Sequence, residues 1–352
     1  MMRENLSTSN FKNLLIIEGI VLMLLLLVPL AHFLGNAYEE AAAQNHVNAW
    51  NQRRFNEFYA LPRNTLDIVF LGSSHSYCTF DPAIFNERLN ISSFQLGMPL
   101  QHPDASYFTL REVLRYHMPQ VVVMEVYWGV LRDDFDINQI DEFFKVFRNE
   151  ELKREFIREF PLNERVKFHL PFIHRQKDFL TFANTTILNF AYERWGLTRT
   201  IRRRPGREFY RSLGYIYASY VMPEDEYIEI KNSNITSGRN WSMSRVQRQY
   251  LIRMARLAQE HDVQIVFVTA PISNVSFSRL SHYEYIHRTI AELAQEVGVS
   301  YIDFNLINQQ TPLFSNEVFR DHGHLNHRGA VIASNYFATW LLDNGYIVLE
   351  EV

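Results

Sequence analysis

Three runs of apolar residues, "LDIVFL" (66–71), "QVVVMEVYW" (120–128) and "VQIVFVTAP" (263–271), constrain this chain more than any other feature. Each is short and apolar at successive rather than alternate positions, the pattern of a strand buried on both faces. "SSFQLGM" (92–98) and "SYIDF" (300–304) join them as shorter strand candidates. Between the runs lie segments of helical period at 81–89, 104–116, 241–260, 283–297 and 328–342. Asp81 and Pro82 stand where an N-cap and a first helical residue belong, and Gly298 ends the fourth helix. Strands alternating with helices predict an α/β fold: a three-layer α/β/α sandwich around a parallel sheet, joined by right-handed crossovers. Residues 131–240 break this rhythm. They are rich in Phe and Arg and mostly helical in pattern, and they read as an insertion capping the sheet, because the halves on either side are incomplete alone.

The N-terminal part obeys a different rule. From 13 to 35 the chain is almost entirely apolar, interrupted by Glu18 and His32. A helix needs about 20 apolar residues to span hydrocarbon, whereas the apolar region of a cleaved leader is usually about 7–15. The expectation is therefore an uncleaved transmembrane anchor at 13–35, although "AAAQ" at 41–44 can be read as a cleavage site. Arg3 and Lys12 precede the span while Glu39 and Glu40 follow it. That asymmetry puts residues 1–12 in the cytoplasm and the rest outside, against which Arg53 and Arg54 count. Residues 36–63 then read as a helical stalk, and 64–352 as an extracytoplasmic domain carrying the insertion. The 352 residues, 47% hydrophobic and 21% charged, are enough for a real core. A formal charge of −4 argues against a protein built to bind nucleic acid, and the single cysteine, Cys78, excludes an internal disulfide.

In an open parallel sheet, ligands bind beyond the carboxyl ends of the strands. The first strand candidate ends in "GSSHS" (72–76), the second in "LGMP", the third in "EVYWG" and the fourth in "TAPISN"; the last leads toward "FRDHGHLNHRGA" (319–330). A serine attacks a carbonyl only if a base takes its proton, usually an imidazole oriented by a carboxylate. Asp321 and His324 are three residues apart, so a tight turn can set the carboxylate against the ring Nδ1. His322 and His327 compete for the role of base, and a compact metal site at Asp321, His322 and His324 is the alternative chemistry for the same residues. "GSSHS" alone is also a common turn.

A serine after the first strand, a glycine after the second and a terminal Asp-x-x-His together resemble the SGNH (GDSL-type) hydrolase superfamily. They are most similar to its membrane-anchored bacterial branch, which includes the D-alanine transfer protein of teichoic-acid modification and surface-polysaccharide O-acyl esterases and transferases. The resemblance covers about 64–131 and 241–343. It implies Ser74 as nucleophile, His324 as base and Asp321 as its orienting acid, with the N–H groups of Ser74, His75 and Gly97 facing the oxyanion. Two departures stand out: Ser73 replaces the family's usual aspartate, and "EVYWGV" stands where Gly-x-Asn-Asp is usual, leaving a third oxyanion donor unassigned. The implied activity is a membrane-anchored serine esterase or O-acyltransferase acting on acyl groups of a cell-envelope glycan or teichoic-type polymer. A multi-span O-acyltransferase is the implied partner, and no cofactor or metal is called for. The alternative is an SGNH-like polymer-binding or assembly factor without catalysis.

Other residues carry milder expectations. Trp128, Arg203 and Arg204 are candidate substrate contacts, the arginines belonging to the run Arg202, Arg203, Arg204, Arg207 and Arg211. Such a run is most often a solvated face, but outside the cell it also attracts anionic polymer or lipid. Cys78 reads as packed, and Glu125 as a buried polar group, either lining a pocket or paired with an arginine.

Overall fold

The computed structural model describes residues 15–23, 25–26, 46–169 and 208–347. The chain divides into two compact units, Met1–Ala49 with Arg154–Arg203, and Trp50–Lys153 with Arg204–Val352. In the first, residues 15–23 and 25–26 are helical and exposed, and Leu162–His169 is a helix. The remainder of the 13–35 segment and residues 36–45 lie outside the described residues. Among the described residues no helix is long and apolar enough to cross a membrane.

The second unit is built on a five-stranded sheet. Its strands are β1 (Ile68–Leu71), β2 (Ser93–Gln95), β3 (Val121–Glu125), β4 (Gln264–Thr269) and β5 (Ser300–Asp303). The order across the sheet is β2-β1-β3-β4-β5, every pair parallel. Parallel neighbours need crossovers, and helices supply them: α1 (Ser74–Thr79), α2 (Pro82–Leu89), α3 (Pro103–Tyr116), α4 (Arg245–Glu260) and α5 (Tyr283–Glu296); α6 (Phe304–Gln310) and α7 (His327–Asp343) follow the last strand. Asp81 caps α2 by accepting from the Ala83 N–H, and Pro82 opens it, as the sequence predicts.

The strand pattern follows from burial on both faces. Ile68, Phe70, Val121, Val123, Val266, Val268 and Ile302 pack with Phe85 and Leu89 of α2 and Phe337 and Leu341 of α7. Alternation sends Val69, Leu71, Val122, Met124 and Phe267, all fully buried, to the opposite face, where α3 and α4 lie. Each such side chain contributes about 1.5–3 kcal/mol on leaving water, which is why the runs are continuously apolar rather than alternating. The order 2-1-3-4-5 reverses direction between β1 and β3, and the carboxyl ends of those two strands frame the site described below.

Two sequence-based boundaries are corrected. Residues 50–60, expected within a helical stalk at 36–63, are helical but belong to the sheet's unit: in the helix His46–Ala60, Arg54, Phe55 and Phe58 are buried. The Phe58 ring lies 6.1 Å from Phe94 and 5.5 Å from His117, and the Arg54 Nε–H donates to the Gly214 carbonyl at 3.0 Å. The insertion is also divided, with 131–153 and 204–240 in the sheet's unit and 154–203 in the other. Beside the helices expected to make up most of it, Glu208–Tyr210 and Ile216–Ala218 form an antiparallel hairpin.

Candidate active site

The site begins with a backbone constraint where β1 ends. Gly72 has φ +126, and a Cβ there would meet the Glu125 Cβ at 2.7 Å and its carbonyl oxygen at 2.8 Å. Only glycine lets β1 turn so tightly against the end of β3. Ser73 follows as the N-cap of α1, its Oγ accepting the His75 N–H at 3.2 Å. Its own hydroxyl donates to Glu125 Oε2 at 2.7 Å, and its N–H donates to the same oxygen at 2.9 Å. Ser74 then occupies the first helical position, partly exposed, where its N–H has no carbonyl one turn behind it.

The opposing residues come from the loop before α7. Phe319 and Leu325 pair as an isolated antiparallel bridge, and the Arg320 N–H donates to the His324 carbonyl at 2.9 Å. Inside this loop Asp321 Oδ1 accepts the N–H groups of Gly323 and His324, both at 2.8 Å. This Asx-type turn aims the carboxylate at its own neighbour's ring. His324 Nδ1 lies 2.9 Å from Asp321 Oδ1 and 3.0 Å from Oδ2, and Nε2 lies 2.8 Å from Ser74 Oγ. The carboxylate fixes the proton on Nδ1 and leaves Nε2 as the acceptor facing the hydroxyl.

Charge around the triad is graded. Burial alone would raise the Asp321 carboxyl. The His324 hydrogen bond and charge, the Gly323 N–H and the Arg320 guanidinium together hold it well below the usual carboxylate range. Arg320 is buried, its guanidinium 3.7 Å from Asp321 Oδ2 and 3.4 Å from Glu208 Oε2, and one of its N–H groups donates to the Cys78 sulfur at 3.0 Å. Burial pushes the Cys78 thiol up to about 12, so it stays protonated and packed. The His75 ring stacks on Tyr127, centroids 4.1 Å apart, and lies 4.6 Å from the His324 ring. Burial and then the neighbouring His324 charge hold it well below the ordinary imidazole range.

The structure thus brings Ser74, His324 and Asp321 together, but it corrects the expected oxyanion donors. The His75 N–H is taken by the Ser73 side chain that caps the helix. The Gly97 N–H is taken at 2.8 Å by Gln95 Oε1, which reaches two residues along its own chain. Gly97 nevertheless lies against the nucleophile's turn, for a Cβ there would meet the Gly72 carbonyl at 2.9 Å. Of the N–H groups expected at the oxyanion, Ser74 alone keeps one that no side chain claims among the described residues.

Trp128 is half-buried beside Tyr127 and Tyr283, and its carbonyl accepts the Trp241 indole N–H at 2.8 Å. Arg203 and Arg204 lie outside the described residues. His322 is exposed and turned to Glu226, which also accepts its backbone N–H at 3.0 Å. His327 opens α7 and faces the Tyr215 hydroxyl at 3.2 Å, so neither competitor reaches Ser74. Among the described residues no group of three His, Cys, Asp or Glu side chains is placed to hold a metal ion. Three participants escaped sequence reasoning, Arg320, Tyr127 and Gln95, as did the pairing of Ser73 with Glu125. Only Arg320 carried a local signal, its place directly before Asp321.

No family model and no curated protein sequence matches the chain. Solved structures do. One, a lipolytic protein of the G-D-S-L family by its description, from Desulfitobacterium hafniense, is 11% identical with a TM-score of 0.39, over 78% of this chain and 99% of that one. A GDSL-like lipase from Bacteroides thetaiotaomicron is 10% identical with a TM-score of 0.39, over 84% and 98%. A variant of an acetyl xylan esterase from Geobacillus stearothermophilus is 13% identical with a TM-score of 0.35, over 82% and 99%. Likenesses this distant do not bear on the chemistry, which rests on the residues of this chain.

Proposed function

We propose that the protein is a serine esterase or O-acyltransferase of the SGNH type. The observation that carries this reading is the contact chain Ser74 Oγ–His324 Nε2–Asp321, at 2.8 and 2.9 Å. Ser74 Oγ attacks the ester carbonyl while its proton passes to His324 Nε2, and Asp321 stabilises the imidazolium that forms. The Ser74 N–H donates to the oxyanion. Collapse of the tetrahedral adduct breaks the bond to the alkoxy oxygen, which takes the proton from Nε2 and leaves an acyl-serine. Water, or an acceptor hydroxyl, then gives its proton to the same nitrogen as it attacks, releasing acid or transferred ester and restoring Ser74.

The apolar segment at 13–35 and its flanking charges support anchoring in a membrane with the catalytic unit outside. Anchoring favours transfer over hydrolysis, because it raises the effective concentration of a membrane-held acyl donor, such as a multi-span O-acyltransferase would supply. The substrate is then an acyl ester on a cell-envelope glycan or teichoic-type polymer. A fluorophosphonate probe tests the chemistry: Ser74 labels, and Ser74→Ala and His324→Ala do not. A reporter fused after residue 352 tests the location; a cytoplasmic signal would sink the envelope substrate.

One observation favours a second reading, a polymer-binding or assembly factor without turnover. The N–H groups of His75 and Gly97 are engaged elsewhere, and losing one oxyanion donor costs about 10²–10³ in rate. Wild-type protein that is folded yet never labels, with alanine variants that retain cellular function, would select it.

A further inference from the structure

Glu125 is the buried acid that the reaction above does not use. It is the last residue of β3 and is 1% exposed. A carboxylate there is costly, and β3 is otherwise filled by valine and methionine, which would pack as well. Its Oε1 has no hydrogen-bond partner among the described residues. Its Oε2 accepts two donors, both from Ser73. Among the described residues no arginine pairs with it, and both of its donors belong to Ser73.

We propose that Glu125 is a positioning residue for Ser74, its carboxylate clamping Ser73 by both N–H and O–H and so fixing the turn on which the nucleophile stands. This rests on the reading of Ser74 as nucleophile. The clamp is directional. With the Ser73 hydroxyl proton drawn to Glu125, the Oγ lone pairs face the His75 N–H, and the first turn of α1 is held from both sides. Gly72 serves the same contact, because any side chain there would displace Glu125. Where the resembled family carries an aspartate in the turn itself, this chain has Ser73 and brings the acid from the neighbouring strand. Burial pushes the Glu125 carboxyl up to about 7 against the pull of the two Ser73 donors. Among the described residues, Tyr127, just beyond β3, and Tyr301 of β5 feel its charge.

The test measures fluorophosphonate labelling of Ser74 in the full-length protein, resolved into the inactivation rate constant and the apparent binding constant. Glu125→Gln keeps the shape but loses the charge-assisted clamp, and is expected to lower the rate constant about ten-fold or more with little change in binding. Ser73→Asp combined with Glu125→Gln moves the acid into the turn and is expected to restore most of the rate, which a packing role for Glu125 would not allow. Should Glu125→Gln fail to fold, Ser73→Ala removes the middle of the clamp and is expected to slow labelling in the same way. A wild-type rate in Glu125→Gln, or a loss that the double variant leaves unrepaired, overturns the assignment while wild-type labelling keeps the Ser74 reading. Wild-type protein that does not label overturns both.

Discussion

The Ser74 hydroxyl and His324 Nε2, 250 residues apart in the chain, stand 2.8 Å apart in space. The contact is made by two short backbone devices at the same edge of one sheet. A glycine turn lifts Ser74 onto the start of α1, and an Asx turn at Asp321 aims His324 back at it. Neither device needs a long loop, so the geometry is set by local backbone turns anchored at the sheet edge.

Asp321→Asn tests whether the carboxylate orients the base. An amide can present an N–H to Nδ1 and favour the wrong tautomer, so turnover or labelling is expected to fall by about 10³–10⁴ with the fold retained. The Asp321 carboxyl is held below its ordinary range, so its stabilising contribution is present above about pH 4 and disappears as pH falls further. The stability gap between wild type and Asp321→Asn, read from thermal midpoints, should therefore narrow on acidification below pH 4. A gap independent of pH would contradict the assignment.

Gly72→Ala places a methyl group against a backbone carbonyl that cannot move aside, at a φ of +126. The expected cost is about 2–4 kcal/mol, read as a lower urea midpoint, together with loss of labelling. An unchanged midpoint would mean the turn relaxes more easily than the β1–β3 contact suggests.

His75 gives a pH effect whose sign is fixed. The folded protein keeps the ring neutral, while the unfolded chain protonates it below about pH 6.5, so stability falls as pH drops through that value. His75→Phe keeps an aromatic ring between Tyr127 and His324 but removes the titration. Its thermal midpoint should fall less than that of wild type between pH 7 and pH 5. An identical fall in both would show that His75 is not the group responsible.

What could be read from the sequence depended on whether the signal was local. Asp321 and His324 were legible because their partnership lies within one turn, and the sheet because its three central strands are largely continuous apolar runs. The Ser73–Glu125 clamp was not, since its halves are 52 residues apart and a buried acid at a strand end has many possible partners. The packing of Arg54 was not legible either: the sequence shows a charge after the apolar segment, whereas its guanidinium lies over the Tyr77 ring and bonds to Gly214, 160 residues away. The 208–218 hairpin was missed because strands of three residues carry too little pattern to register. The oxyanion donors failed because whether an N–H is free depends on which side chain reaches it, as Gln95 reaches Gly97.

The measurement that bears most directly on the central claim is active-site labelling of the folded, full-length protein with a fluorophosphonate, followed by mapping of the modified residue. The prediction is a single adduct on Ser74, absent from Ser74→Ala and from His324→Ala and present in Ser76→Ala. An adduct on another residue, or labelling that survives His324→Ala at the wild-type rate, would contradict the Ser74–His324–Asp321 mechanism.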